Sequence, residues 1–511
     1  MSREVPIELT KATNSSLPTS RFELPIITLD AAVLKRLEES CSTVLTDDTS
    51  CIDASRDWWP ISIKWAIGGS VPALPTVVAR PASTEEVAKV VAICSEFHIP
   101  VTTSAGRSGV CGGAIPLFGG IALDMTDMAG ISDIDDTSLT VRAAAGTFGP
   151  PLEEELRANG FTLGHWPQSF DISTLGGWLA CRSAGQYSTR YGKIEDMARG
   201  LEVVMADSTV IHTGFDAPRA ATGPDLSQLF LGSEGTLGVI TEARLSIRPL
   251  PESSDRRTWI FSNFYDGLEA CRMILRRGAT PAVMRLYDTQ ESTLHFETGT
   301  GCVLIVYDEA DPGLLSWTLQ VVDEECAARH ASLGDNDLVE KWFNKRNDVS
   351  VLAPLYKSGI IVDTIEIAAS WKNLPELYKS CMSSLQSLPE TLYASAHLSH
   401  SYNDGACMYM TFAGQPTDAG QPTDSQEAHG QNPSELYYNA AWRRTMESVM
   451  STGGSISHHH GIGVQRAPYL RTALGPAWPI LESIKNSLDP KGILNPGKLG
   501  FSSYICGTPW P

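Results

Sequence analysis

Three imidazoles in succession, His458, His459 and His460, sit between Gly453-Gly454 and Gly461-Ile462-Gly463. Histidine changes charge near neutral pH, and a run of it in a glycine-rich turn suits a site more than a core. A surface histidine run and a metal site are the other readings. Side chains that follow one another in an extended segment point to opposite faces, so three in a row chelate poorly and no metal is expected. His397 and His400 make an HxxH spacing, a weak signal by itself.

Glycines and hydroxyls mark a second kind of chemistry. Ala105-Gly106-Arg107-Ser108-Gly109-Val110-Cys111-Gly112-Gly113 follows a strand-like run. Ser173-Thr174-Leu175-Gly176-Gly177 lies within the stretch from Phe161 to Asp196, and Gly232-Ser233-Glu234-Gly235-Thr236-Leu237-Gly238 opens another. Small residues let backbone N–H groups approach a pyrophosphate, and hydroxyls add hydrogen bonds. Together the segments read as a surface that wraps a dinucleotide. The first lacks the Gly-Lys-Ser/Thr of a P-loop and is not a GxGxxG turn opening a long helix. Taken alone, it is better explained as a plain turn.

Periodicity shows the elements that must carry these residues. Thr76-Val77-Val78 is a strand. Ser83 to Glu86 has capping-box spacing, and Val87, Val90, Val91 and Cys94 then share a helical face. Val101 to Thr103 is the next strand, so a β-α-β unit delivers the chain to the glycine loop. Ile121–Met125 and Leu139–Ala143 are further strands, Leu152–Ala158 is a helix closed by Asn159-Gly160, and Leu201–Met205 with Thr209–His212 is a hairpin. Beyond Pro249-Leu250-Pro251 strands and helices alternate with a different rhythm, and Trp478–Leu488 is a helix. The expected organisation is a lead-in over 1–72, a cofactor domain over 73–252, a second domain over 253–450 and a C-terminal segment over 451–511 that returns to the first domain. The motif AGQPTD occurs twice between Ala413 and Asp424 and polar residues run on to Glu435, a mobile insertion rather than a lid.

Composition bounds the partners. With 511 residues, 42% hydrophobic and 19% charged, the chain is an ordinary globular enzyme of two or three domains, and its net charge of -20 argues against nucleic acid. There is no signal peptide, no apolar run of the roughly 18 residues that span a bilayer, and no Ser-Lys-Leu ending. Eleven scattered cysteines without a CxxC pair favour free thiols in a reducing compartment, so a cytoplasmic location is expected.

On the segments above, Pro75 to Glu252 resembles the FAD-binding domain of the vanillyl-alcohol-oxidase, or PCMH-type, flavoproteins. The resemblance implies FAD as cofactor and an α+β fold: a PCMH-type domain of two α/β subdomains and a cap domain with an antiparallel sheet flanked by helices. It assigns the pyrophosphate loop to Thr103, Ser104, Ala105, Gly106, Arg107, Ser108 and Gly109. The rest of FAD falls to Gln168, Ser169, Asp171, Ser173, Thr174 and Gly177, to Cys181, Arg182, Ser183 and Ala184, and to Glu234, Gly235, Thr236, Gly238, Val239 and Ile240. Some relatives tether the flavin to a histidine of the glycine loop. This loop has none, so noncovalent FAD is expected, and Cys111 within it reads as a buried structural thiol.

Ser457 to Gly463 resembles the S-H-H-H-G-x-G signature of the alkylglycerone-phosphate synthase (alkyl-dihydroxyacetonephosphate synthase) family; the related D-lactate and glycolate dehydrogenases carry a single histidine there. Ser401 to Tyr409 (SYNDGACMY) resembles the synthase segment whose last tyrosine is the acid/base, a role that carries over to Tyr409. Without the resemblance Tyr409 would be an ordinary strand aromatic. A phenol of pKa about 10 is a poor base at neutral pH and needs a cationic or hydrogen-bonding neighbour. Pro281 to Leu286 resembles a segment with an activity-critical arginine, here Arg285, and His458, His459 and His460 would polarise or deprotonate groups near the flavin.

The family chemistry is redox-neutral. A flavin N5 adduct forms, an acyl group leaves as a carboxylate, and a long-chain alcohol replaces it to form an ether. The alternative is an FAD-dependent 2-hydroxy-acid oxidase or dehydrogenase of the D-lactate or glycolate type. A flavoprotein without turnover is a third reading, against which Tyr409 and the triple histidine stand. One departure bears on substrate. The synthases place a substrate-binding arginine before a segment like Asp363 to Trp371, and ungapped counting puts Leu352 there, with Arg346 one to two helical turns away. With Leu352 in that place, a phosphorylated acyl ester should bind weakly. A small-molecule or lipid-like substrate is expected, and a homodimer is compatible with the chain.

Overall fold

The computed structural model describes residues 18–299, 301–347, 352–416 and 432–506. Most of the insertion with its repeated motif, and the last residues from 507, lie outside the described residues.

The cofactor domain is built on two larger sheets, beside a two-stranded pairing of Phe161–Thr162 with Arg248–Pro249. In the first the order is Thr43–Leu45, Val77–Arg80, Ile121–Asp124, Val101–Ser104, the last three parallel. The Ser83 hydroxyl accepts the Glu86 N–H at 3.3 Å and starts the helix Thr84–Phe97, which buries Val87, Val90, Val91 and Cys94 as their spacing predicts. The β-α-β unit is therefore present, with Ile121–Asp124 inserted between its two strands. The second sheet is antiparallel, in the order Val210–His212, Ala198–Val204, Val239–Ser246, Thr140–Ala144, Ile131–Asp135.

The segment before Leu74 is more than a lead-in. Thr43–Leu45 is an edge strand of the first sheet, and the helices Ala31–Glu38, Asp48–Asp53 and Pro60–Ile67 follow around it. Trp59 is wholly buried, the Trp58 N–H donates to the Gly109 carbonyl at 2.8 Å, and Asp53 is ion-paired with Arg107. These elements are too short to print a period, which is why the sequence reads as featureless there. After the helix Trp478–Leu488, the Val101 N–H donates to the Ile493 carbonyl at 2.9 Å and the Asn495 N–H to the Val101 carbonyl at 2.8 Å.

The cap domain is built on a seven-stranded antiparallel sheet. Its order is Ser332–Leu333, Ser253–Phe261, Cys302–Ala310, Val283–Tyr287, Thr391–Ser401, Gly405–Gly414, Ile361–Ser370. Strand side chains alternate between faces. Met284, Leu286, Leu304, Val306, Ala396, Leu398, Met408, Met410, Ile365 and Ile367 join the core under the helices Phe264–Arg276, Pro312–Ala327, Leu374–Gln386 and Pro433–Ser451. Val283, Tyr287, Val303 and Ile305 belong instead to the core shared with the cofactor domain. The same alternation puts Arg285, His397, Tyr409 and Glu366 on that second face. A one-residue slip of any strand would turn its polar residue into the apolar core. Among the described residues no helix is long and apolar enough to cross a membrane.

Candidate active site

The three glycine- and hydroxyl-rich segments converge. Gly106 packs so tightly on the 172–173 backbone that a Cβ there would overlap the Ile172 carbonyl. Gly109, Gly177 and Gly235 are the opposite case, since a Cβ on any of them would meet no protein atom closer than 3.5 Å. The hydroxyl oxygens of Thr103, Ser104 and Thr174 are buried without a hydrogen-bond partner among the described residues. Buried hydroxyls are normally paired, so orphans beside open glycine backbone ask for a polar ligand. The phosphates and hydroxyls of FAD supply that chemistry, and the residues fit it.

Beyond the cradle lies a cluster of imidazoles around Tyr409. The Tyr409 hydroxyl is 2.9 Å from Nε2 of His459 and 3.4 Å from Nε2 of His460. Its ring stacks on His397 at 4.8 Å between centroids. Burial, then Cys407 and Glu366, push the phenol well above its ordinary pKa, with Arg285 and Arg466 opposing. Burial also drives His458 and His460 down to about 3, and holds His400 well below the usual range with the help of His459 and His458. The cluster around the phenol is thus mostly neutral imidazole at pH 7.

Glu366 ties the histidine run down. It lies directly across the ladder from Tyr409 and is fully buried. One carboxylate oxygen accepts the backbone N–H groups of His458 at 2.6 Å, His459, and His460 at 3.4 Å; the other pairs with Arg466 at 2.9 Å. Burial alone would raise this carboxyl, but Arg466, His460 and His459 outweigh it and hold it well below the carboxylate range.

Arg285 spreads its guanidinium over three partners: Tyr287 Oη at 2.9 Å, Ser399 Oγ at 2.7 Å and His397 Nε2 at 2.7 Å. Nδ1 of His397 is 2.7 Å from the buried Glu291 carboxylate. Since Arg285 can only donate, Nε2 of His397 must accept and Nδ1 carries the proton to Glu291. Arg346 caps the helix Asp337–Lys345, donates to Tyr187 Oη at 3.3 Å and lies over Phe343 at 4.8 Å. Arg285 and Arg346 each sit 5.6 Å from the Trp342 ring, so one indole carries both cations.

Comparison with known proteins supplies the name of this arrangement. The family model "FAD binding domain" matches residues 75–214, and "FAD linked oxidases, C-terminal domain" matches residues 250–499. An uncharacterized FAD-linked oxidoreductase, YgcU, of Escherichia coli K12 is 32% identical over 490 residues, covering 92% of this chain and 98% of its own. The chain belongs to the FAD-linked oxidase family. It is an FAD-dependent enzyme. Alkyldihydroxyacetonephosphate synthase of Dictyostelium discoideum is 28% identical, over 84% of this chain and 74% of its own. A solved structure of an alkyldihydroxyacetonephosphate synthase superposes with a TM-score of 0.75 at 24% identity, covering 96% of this chain and 90% of that one, which shows the shared fold.

In this member of the family several expected site residues have other partners. The Glu234 carboxylate accepts the N–H groups of Ile462 at 2.5 Å and Gly463 at 2.8 Å, so it docks the histidine loop onto the cradle. The Ser173 hydroxyl takes the Trp178 indole N–H at 2.7 Å, Arg182 faces Glu195 at 3.2 Å, and the Thr236 hydroxyl closes its own turn on Ser233 at 2.7 Å. Val239 is fully buried in an apolar core. Arg107 is held by Asp53 and, at 3.7 Å, by Asp124.

The argument against a chelate also needs correction. Residues 458–460 run through a bend rather than a strand, and Nδ1 of His458 and of His459 come within 2.9 Å. With Glu366 and Cys407 they form a group whose ligating atoms all lie within 4.8 Å of one another. Hydrogen bonds to Glu366 account for this geometry. His397 and His400 do not face each other: a bulge separates them, and His400 turns to the Ser188 hydroxyl at 2.9 Å.

Sequence reading missed Glu366, Arg466, Glu291 and Ser399. It also missed His165, wholly enclosed, 2.7 Å from the Ser183 hydroxyl and pushed down to about 3 by burial. A signal existed for Glu366, an acid flanked by Ile365 and Ile367 in a largely apolar strand, because a charge is buried only where it is paired.

Proposed function

We propose that this enzyme works in the manner of alkyldihydroxyacetonephosphate synthase, with Tyr409 as the acid/base and Arg285 and Arg346 meeting an anionic part of a small or lipid-like substrate. The observation that carries the reading is the Tyr409 hydroxyl bracketed by His459 and His460 on the sheet face that looks toward the cofactor cradle. A buried phenol of raised pKa abstracts a proton only if its own proton has somewhere to go, and Nε2 of His459 is that acceptor. Bound FAD supplies an electron sink for the reacting carbon. Tyr409 exchanges a proton with that carbon. His460, kept neutral, can donate its Nε2–H to the phenol oxygen without adding a charge. Arg285 is held flat by its three partners and orients His397 while presenting charge to the substrate. Arg346, rather than Leu352, takes the part of the anion-binding arginine, because it shares Trp342 with Arg285. Leu352 opens the helix Leu352–Lys357 and offers neither charge nor donor. The acyl group departs as carboxylate and an alcohol oxygen takes its place, so substrate oxidation is not required. FAD is held without a covalent bond, in a cofactor domain spanning 73–252.

A second reading, oxidation of a 2-hydroxy acid, is favoured by the likeness to glycolate oxidase subunit GlcD of Bacillus subtilis, 29% identical over 442 residues. Anaerobic spectra separate the two. Ether formation from acyl-dihydroxyacetone phosphate and a fatty alcohol, with the flavin oxidised at the end, supports the first. Lasting bleaching by a D-2-hydroxy acid, with no ether product, overturns it in favour of the second.

A further inference from the structure

Glu366 is the buried acid that the reaction above leaves without a task. Its oxygen that gathers the backbone N–H groups of His458 and His459 also lies 3.1 Å from Nδ1 of His459. The same Nδ1 faces Nδ1 of His458 at 2.9 Å. A carboxylate oxygen has only lone pairs to offer. A lone pair on Nδ1 of His459 would therefore oppose it, whereas a proton on Nδ1 satisfies the carboxylate and can be shared with His458. That leaves Nε2 of His459 with its lone pair aimed at the Tyr409 hydroxyl, 2.9 Å away.

We propose that Glu366 is a positioning residue that fixes His459 in the Nδ1–H tautomer, so that Nε2 is the acceptor of the Tyr409 proton. In the step, the O–H bond of Tyr409 breaks and an N–H bond forms at Nε2. The phenolate oxygen is then free to take the substrate proton. The electron pairs stay on oxygen and nitrogen, and the new imidazolium charge rests against Glu366. Arg466 holds the second carboxylate oxygen and fixes its direction, since it also donates to the Glu366 carbonyl at 2.9 Å and the Gly461 carbonyl at 2.8 Å. A carboxylate that sets the tautomer of a general-base histidine is the device of serine-protease triads, where losing the correct tautomer costs about 10⁴-fold in rate.

The inference rests on Tyr409 being the acid/base, and its test is chosen to fail separately. Holoenzyme labelled with [15N]histidine is examined by NMR near pH 7, and the His459 ring signals are identified by their loss in His459→Asn. A protonated Nδ1 and an unprotonated Nε2 are expected; the opposite tautomer overturns the proposal. Glu366→Gln should retain FAD and move His459 to a mixture of tautomers. An unchanged His459 signal in an FAD-loaded Glu366→Gln protein overturns it equally. If that variant does not fold, the wild-type spectrum still decides. An active Tyr409→Phe enzyme would sink the acid/base reading while leaving the tautomer as measured.

Discussion

Removing one oxygen, by Tyr409→Phe, separates chemistry from architecture. The aromatic ring, its stack on His397 at 4.8 Å and its register opposite Glu366 are all kept. What is lost is the hydroxyl between His459 at 2.9 Å and His460 at 3.4 Å. Leaving the buried His459 nitrogen unpaired should lower stability by about 1–3 kcal/mol. Global stabilities are of order 5–15 kcal/mol, so the variant should fold and load FAD. The rate should respond far more, because loss of a positioned acid/base group is worth about 10²–10⁴-fold, or about 2.7–5.5 kcal/mol in the barrier. Three measurements on one preparation decide it: the flavin-to-protein absorbance ratio, the thermal midpoint, and turnover on the substrate that the wild type accepts. A variant with full FAD and turnover within about tenfold of wild type would return Tyr409 to an ordinary strand aromatic.

Other outcomes follow from the same geometry. Acid precipitation should leave the yellow colour in the supernatant, since the glycine loop carries no histidine to tether it; colour in the pellet would disprove noncovalent binding. Arg346→Leu should weaken binding of dihydroxyacetone phosphate, scored by displacement or inhibition, and Leu352→Arg should do little beside it. A larger gain from Leu352→Arg than loss from Arg346→Leu would mean that Leu352 occupies the anion site. His458 is pushed down to about 3, below an unfolded value of about 6.5. Its contribution to stability is therefore present above that pH and lost as pH falls toward 3. Relative to His458→Asn, the wild type should lose up to about 1.4 kcal/mol per pH unit below about 6.5 in urea denaturation. A difference that stays constant from about pH 6.5 down to 5 would refute the buried neutral imidazole.

The cofactor segments and the histidine run were readable from the chain because their information is local. Gly106, Gly109 and Gly177 permit close backbone approach wherever they are placed, and Ser83 with Glu86 starts a helix through neighbours only three residues apart. The antiparallel cap was expected from the family resemblance. Residues 18–70 were not legible, because short elements such as Thr43–Leu45 gain order only by pairing with Val78–Arg80 and packing around Trp59. Nor could the chain show that Glu234 serves the histidine loop, since its partners, Ile462 and Gly463, lie far along the sequence. The role proposed for Arg346 over Leu352 rests on the Trp342 ring it shares with Arg285, a neighbour that only folding brings there. The proposed proton path is the extreme case. Which nitrogen of His459 faces Tyr409 depends on a strand register that sets Glu366 opposite that tyrosine, and on a bend that lays three amides on one carboxylate. Residue type gives each group its chemistry, but the direction in which a proton moves is set by distances between residues that only the folded chain brings together.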